Sequence, residues 1–289
     1  MNLKDISLEI RELLEKRRQE LELTFVEEEH IYYMKDVDGI VKSNFPSVSK
    51  IIKKFHKPFD AEGMALRMSK GDPEGQVQLL AEWKEAGELS TNMGSRVHFE
   101  LERELIERYG KYKEVRQPIF DINEEQKIKS DSMIEAGKKF LDVMNERGGV
   151  LLDTEIVLGE PTEQYTGQPD KVWLMQNKEK NGFGFVITDY KSNKPKNFEV
   201  HHYTGKLYPP FNNYHDNALG HYYLQLPLYG RLLLKMLEGT KFQGTKLLGG
   251  VVVLLKEDAT YIEYKVPSQI NNAILQMDLS KYISRWSKK

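Results

Sequence analysis

Asp170 closes the segment Thr166-Gly167-Gln168-Pro169-Asp170, and Asp189-Tyr190-Lys191 follows Phe185-Val186-Ile187-Thr188. In a strand, side chains two residues apart share a face, so Asp189 and Lys191 project together while the Tyr190 ring points away and packs. Two carboxylates beside a lysine suit a hard divalent cation, Mg2+ or Mn2+, and can orient water next to it. The rigid run before Asp189 supplies the restraint that a metal ligand needs. Protonated, Lys191 cannot ligate. It can orient water, neutralise charge or contact a phosphate, and becomes a base only with a lowered pKa. This is chemistry for opening a phosphodiester, where charge builds on oxygen and the leaving oxygen needs an electrophile. Such short motifs also arise by chance, and a surface lysine is the plain alternative for Lys191.

Other candidates accompany them. Glu155 lies near the end of the apolar stretch Val150-Leu151-Leu152, either as an exposed strand-end acid or as a support for a metal or its water, and it can balance Lys191. Glu160 and Glu163 do not continue that strand spacing and read as loop residues. His98 shares neighbouring helical turns with Leu101, Glu102 and Leu105, where a lone histidine is ordinarily structural or exposed. Gln225 and Tyr229 are an i,i+4 pair offering an amide, a phenol and an aromatic face, or else a capping pair in the core beside Leu224 and Leu228.

Taken in order, Gly94-Ser95-Arg96-Val97-His98-Phe99-Glu100, Glu155, the Gly167-to-Asp170 turn, Asp189-Tyr190-Lys191 and Gln225-Leu226-Pro227-Leu228-Tyr229 resemble the PD-(D/E)XK nuclease superfamily. The set is similar to its exonuclease-type branch, which includes nuclease domains of bacterial recombination helicase–nucleases and a mitochondrial genome-maintenance exonuclease. The match spans roughly residues 94 to 265, with a looser phage-like match at Phe45-Pro46-Ser47-Val48-Ser49. The resemblance implies metal ligation by Asp170 and Asp189, with His98, the Tyr190 backbone carbonyl and Glu155 completing or supporting the site. His98 would enter from beside the sheet, as a ligand or next to the ligands. Gln225 and Tyr229 would line the site and position substrate.

It also implies a restriction-endonuclease-like α/β fold, a central mixed sheet flanked by helices. Residues 1–93 form an amino-terminal, mostly helical elaboration packed on a nuclease core of 94–289. The expected activity is that of a divalent-metal-dependent DNA exonuclease in recombination, replication or processing, phage-encoded and acting on linear ends in the host cytoplasm. An endonuclease with the same chemistry and a noncatalytic nucleic-acid-binding assembly protein are the alternatives, and a purely structural α/β domain is a third.

Local patterns outline the elements that must position these residues. Apolar spacing predicts helices over Ile6–Leu23, from Val48 through Phe55 with Ser47 as cap, and over Ala61–Met68, Val77–Ala86, Arg96–Tyr109, Ile134–Met144, Ala218–Leu237 and Ile270–Trp286. Gly71-Asp72-Pro73 separates two of them, and Gly94 with Ser95 is read as the tight entry and cap of the helix carrying His98. Pro227 sits in a first turn or marks a kink. Strands are expected at Phe25–Met34, Val150–Val157, Lys171–Met175, Phe183–Tyr190, Val251–Leu255 and Tyr261–Val266, with Asn181-Gly182 as a hairpin turn.

The chain of 289 residues is 39% hydrophobic and 30% charged, which fits a globular protein with a substantial core. It has no cysteine, which rules out disulfides, cysteinyl zinc sites and cysteine-ligated clusters, including the cluster-bearing version of the nuclease fold. No apolar run reaches membrane-spanning length, and the amino terminus lacks the secretory pattern. The net charge of −2 gives no global basic footprint for DNA. Basic residues gather at Lys281, Arg285, Lys288 and Lys289, and at Lys194, Lys196 and Lys206 in a polar loop from Ser192 to Asn217. In that loop Tyr203, Tyr208 and Phe211, and beyond it Tyr222 and Tyr223, are candidates to stack on bases. His201, His202 and His215 lack the spacing of a closed zinc site.

Overall fold

The computed structural model describes residues 2–27, 29–43, 45–109, 118–177, 182–202 and 204–283. Helix α1 (Leu3–Glu20) is followed by the small sheet β1 (Thr24–Val26), β2 (Ile31–Lys35) and β3 (Val41–Lys42). Helices α2 (Val48–Ile52), α3 (Ala61–Met68), α4 (Pro73–Tyr109) and α5 (Glu124–Glu146) come next. Then follow β4 (Val150–Thr154), β5 (Leu158–Glu160), β6 (Tyr165–Gly167), β7 (Lys171–Asn177) and β8 (Gly182–Lys191), a 3-10 turn at Pro195–Phe198, and α6 (Ala218–Met236). The remaining elements are β9 (Lys246–Leu255), β10 (Tyr261–Lys265), α7 (Ser268–Gln276) and α8 (Ser280–Ile283).

The central sheet has five strands in the order β10-β9-β8-β7-β4 and is flanked by helices, so the fold is mixed α/β. Within this sheet, as described, β8 and β9 pair in parallel and the other neighbours antiparallel, and α6 is the crossover a parallel pair needs. Alternation along the strands divides the core in two. Val172, Leu174, Phe185, Ile187, Val252 and Leu254 pack with α1, α2, α6 and α7. Trp173, Tyr190, Val253 and Leu255 pack with Val97, Leu101 and Leu105 of α4 and with Phe140 and Leu141 of α5. Two apolar strand faces, each covered by helices, make three layers with the sheet in the middle.

Several boundaries differ from the sequence reading. Val77–Ala86 and Arg96–Tyr109 belong to one helix, α4, of 37 residues and about 55 Å, so Gly94 and Ser95 are interior positions and cap nothing. Asp72 caps instead, its carboxylate accepting from the N–H groups of Glu74 (3.2 Å) and Gly75 (3.1 Å). An interior glycine costs a helix only about 1 kcal/mol, which strong helix formers on both sides absorb. Gly94 serves a close approach, since a Cβ there would stand 3.0 Å from Ser192 Oγ. The strand expected over Val150–Val157 stops at Thr154, because Glu155 takes the left-handed conformation with φ 48°. Helix α6 runs through Pro227, which lies in its interior and is buried, so the first-turn alternative does not hold. The closing helix is interrupted between Gln276 and Ser280, and Trp286 falls outside the described residues, as does Asn181.

Residues 1–93 contribute unequally to the core. Ile6, Ile10 and Leu14 of α1 and Val48, Ile51 and Ile52 of α2 share a core with α6 and the sheet. By contrast, Ala65 is the one buried residue of α3, and α4 buries nothing before Val97. A division between 93 and 94 falls inside α4. Among the described residues, no helix is long and apolar enough to cross a membrane.

Candidate metal centre at the end of the sheet

Strand register gathers the acids. Thr154 pairs with Lys171, and Lys171 pairs with Thr188 on its other side, so Glu155, Asp170 and Asp189 fall one step beyond these pairs, in a row across β4, β7 and β8. The N–H of Glu155 donates to the Asp170 carbonyl at 3.0 Å, and Gln168 Nε2 donates to the Glu155 carbonyl at 3.2 Å. The left-handed turn at Glu155 thus keeps it beside Asp170 after the strand has ended.

From α4, His98 reaches the same point. Its Nδ1 stands 3.3 Å from Asp170 Oδ2, and its Nε2 lies 3.0 Å from the Tyr190 carbonyl oxygen. Burial holds His98 below its ordinary pKa against the opposing pull of Asp170, so the ring is neutral. A neutral imidazole has one N–H. With Nε2–H donated to Tyr190, the Nδ1 lone pair faces a carboxylate oxygen, an arrangement that a cation between them resolves. Ligands about 2.1 Å from a small dication are ~3 Å apart around an octahedron, close to the spacing found. One ligand atom each from His98, Glu155 and Asp170 lies within 4.8 Å of the others, so these residues could hold a metal ion. The donors present fit a divalent cation. Asp189 is not part of that group of three. It sits beside Asp170, in an ion pair with Lys191 Nζ.

Charge is finely divided here. Burial favours the neutral form of Asp170, but the ammonium groups of Lys171 and Lys191 and the Tyr190 N–H (2.8 Å to Oδ2) oppose it, and Asp170 is held below the usual carboxylate range. Asp189, also buried, is pushed up to about 7 by desolvation and by the charge of Asp170. Burial would discharge Lys191, yet Asp189 and Asp170 prevail and hold its ammonium well above the ordinary range. That direction removes the base role and leaves Lys191 as a fixed positive charge. Its ammonium rests 4.6 Å from the centre of the Tyr222 ring, and the Tyr222 hydroxyl donates to Asn193 Oδ1 at 2.9 Å.

Gln225 Nε2 donates to the Tyr229 hydroxyl at 2.8 Å, and the pair faces the sheet end from α6. Burial and the charge of Asp189 raise the Tyr229 pKa, which keeps the phenol protonated. Gly167 is a β6 residue and not a free turn. A Cβ there would meet Tyr229 Cε1 at 2.6 Å and Val48 Cγ2 at 2.8 Å. The Pro46 carbonyl accepts from the Thr166 N–H at 3.1 Å, so the segment around Phe45–Ser49 braces the strand leading to Asp170. The Tyr190 ring points away as alternation requires, packing on Phe140 and donating from its hydroxyl to the Gly137 carbonyl at 3.2 Å.

Lys171 is the site residue that sequence reasoning missed. It is 2% exposed, with its ammonium 3.7 Å from the Tyr190 ring centre, and it senses Asp170, Glu155, Asp189 and Glu102. The signal was present, since Lys171 shares the strand face of Trp173. It is Lys171, more than Lys191, that faces the charge of Glu155. Glu163 is engaged elsewhere, accepting from Arg231 Nε (2.8 Å) and Nη2 (2.9 Å), and Glu160 accepts from the N–H groups of Thr162 and Glu163.

The loop after β8 divides. Lys194, Lys196, Lys206 and Tyr208 are exposed, whereas Phe211 is buried edge-on to Phe55 and cannot stack on a base. Tyr222 is committed to Lys191, and Tyr223 is half-buried beside Tyr264 and Tyr214. Tyr203, Arg285, Lys288 and Lys289 lie outside the described residues. A second group able to hold a metal is His56, Asp216 and His221, none of them a sequence candidate. A scan against protein-family models and a search of curated proteins each return no match.

Proposed function

We propose that the chain is a divalent-metal-dependent deoxyribonuclease of PD-(D/E)XK type that degrades DNA from linear ends. The observation that carries this reading is the row of Glu155, Asp170 and Asp189 across neighbouring strands, faced by His98 and paired with Lys191. A restriction-endonuclease-like core is part of the proposal, supported by the antiparallel run β4-β7-β8 and the parallel β9 returning through α6.

His98, Glu155 and Asp170 would hold Mg2+ or Mn2+, with Asp189 alongside, and the ion would supply Lewis acidity and a water of lowered pKa. The protein supplies the remainder. Lys191, kept cationic by its carboxylates, neutralises charge that develops on phosphate oxygens. Asp189, near neutrality in the absence of a cation, is a carboxylate that can accept a proton. The Gln225–Tyr229 pair presents polar groups on the α6 side, where they can orient the substrate backbone.

The test is cleavage of end-labelled linear and closed circular DNA with Mg2+ or Mn2+. Asp170→Asn should lose roughly 100-fold or more in rate while keeping its circular dichroism, and Lys191→Ala should also fall, with metal binding retained. Stepwise loss from linear ends with circles spared supports exonuclease action, and cutting of circles transfers the same chemistry to an endonuclease. Unimpaired cleavage by folded Asp170→Asn would sink the mechanism.

A further inference from the structure

We propose that His56, Asp216 and His221 form a second cation site, selective for a borderline transition metal such as Zn2+, which clips the loop after β8 to α6 and to the segment after α2. It shares no residue with the centre at the sheet end. Its three side chains come from three segments: His56 follows the buried Phe55 after α2, Asp216 ends the loop, and His221 lies in the first turn of α6.

One ligand atom from each lies within 4.8 Å of the other two. Hydrogen bonds also settle which atoms are free to ligate. His56 Nδ1 lies 3.1 Å from the Lys57 carbonyl, which sets the tautomer with Nδ1–H donating and the Nε2 lone pair available. Asp216 Oδ2 accepts from the Lys57 N–H at 3.3 Å, leaving Oδ1 for the cation. Oδ1 lies 2.7 Å from His221 Nε2, so these two atoms share a proton that a metal would displace. The His56 and His221 rings stack with centroids 4.0 Å apart and 27° between their planes, so a shared ion would bind with a tilt of one ring that brings both lone pairs onto it.

The surroundings are already pinned. The Tyr208 N–H donates to the Phe55 carbonyl at 2.6 Å, the Asp216 N–H donates to the Gly205 carbonyl at 2.9 Å, and Lys206 and His215 are bridged. Two imidazoles and one carboxylate favour Zn2+, Co2+ or Ni2+ over Mg2+, which prefers oxygen and retains its waters. Three protein ligands leave a coordination position for water. His221, Gln225 and Tyr229 follow one another at intervals of four along α6, so the cation would stand at the head of the stripe that faces the metal centre.

The test titrates the metal-stripped protein with Co2+, which reports four-coordinate binding by visible absorption. In a His98→Ala background, where the sheet-end group is broken, about one equivalent of Co2+ should still bind with that absorption and yield to Zn2+. Adding His221→Ala should abolish the band and weaken binding at least about tenfold. His56→Gln, a change outside any helix, should do the same with unchanged circular dichroism. In hydrogen exchange, Zn2+ should slow the amides of 204–217 in His98→Ala but not in His56→Gln. No Co2+ uptake in His98→Ala, or a band indifferent to both His56→Gln and His221→Ala, overturns the proposal. None of these readouts requires DNA cleavage, so the result stands apart from the nuclease reading.

Discussion

Asp189 is buried beside a second carboxylate, and that placement has a thermodynamic sign. Its pKa rises from the ordinary 3.8 to about 7, through desolvation first and the Asp170 charge second. Between those values the folded chain holds a proton that the unfolded chain has released, so this group's contribution to stability is present at low pH and is lost as pH rises to about 7. Asp189→Asn removes that loss. In EDTA, the Tm of Asp189→Asn minus that of the wild type should therefore grow from pH 4 to pH 7 and then level off. A difference that stays flat across this range would show that Asp189 is not held protonated. On the nuclease reading the same substitution abolishes cleavage, so catalysis and metal-free stability should move in opposite directions. Lys171 and Lys191 belong to the same balance, one ammonium on each face of the strands and each set against an aromatic ring.

At the scale of elements, the site depends on how closely α6 approaches β6. Gly167 lacks the Cβ that would meet the Tyr229 ring at 2.6 Å and Val48 at 2.8 Å, and an aromatic ring fixed in a core cannot yield as a flexible chain end can. Gly167→Ala should cost about 1–3 kcal/mol through overpacking, and should shift Tyr229 away from Asp189. Thermal melting checks the first effect. Cleavage rate checks the second, and a wild-type rate in a destabilised Gly167→Ala protein would mean that the position of Tyr229 is unimportant. Local sequence anticipated the helix carrying His98 and its inward face through Val97, Leu101 and Leu105. It misplaced the start of that helix, because a glycine and a serine look like a boundary when only propensity is weighed. The reason for Gly94 lies in Ser192, a residue distant in sequence.

For the whole molecule, α1 belongs to the core and α3 with the first part of α4 does not. Ile10 is fully buried among sheet and helix residues, and Arg11 Nε donates to the Leu152 carbonyl at 3.0 Å. Val77 on α4 is 67% exposed. Ile10→Ala should cost about 2–5 kcal/mol, whereas Val77→Ser should stay within about 0.5 kcal/mol. Denaturant unfolding measures both. Equal effects would mean that the amino-terminal helix is not integral to the fold.

Sequence alone determined what depends on short range. Alternation in Phe183–Tyr190 fixed which way Asp189, Tyr190 and Lys191 point, and apolar spacing marked the faces of α1, α5 and α6. Only the resemblance carried by the motifs implied Asp170, His98, Gln225 and Tyr229 as neighbours. Tertiary structure alone decided what depends on register and burial. It turned Glu155 back beside Asp170 through a left-handed residue, buried Lys171 against Tyr190, and withdrew Phe211 into the core. It also joined His56 to Asp216 and His221, which are separated by more than 150 residues of chain. Local pattern reports the periodicity of a segment. A pKa or a ligand set reports the charges and distances that several segments impose on one point, and these exist only after the chain has packed.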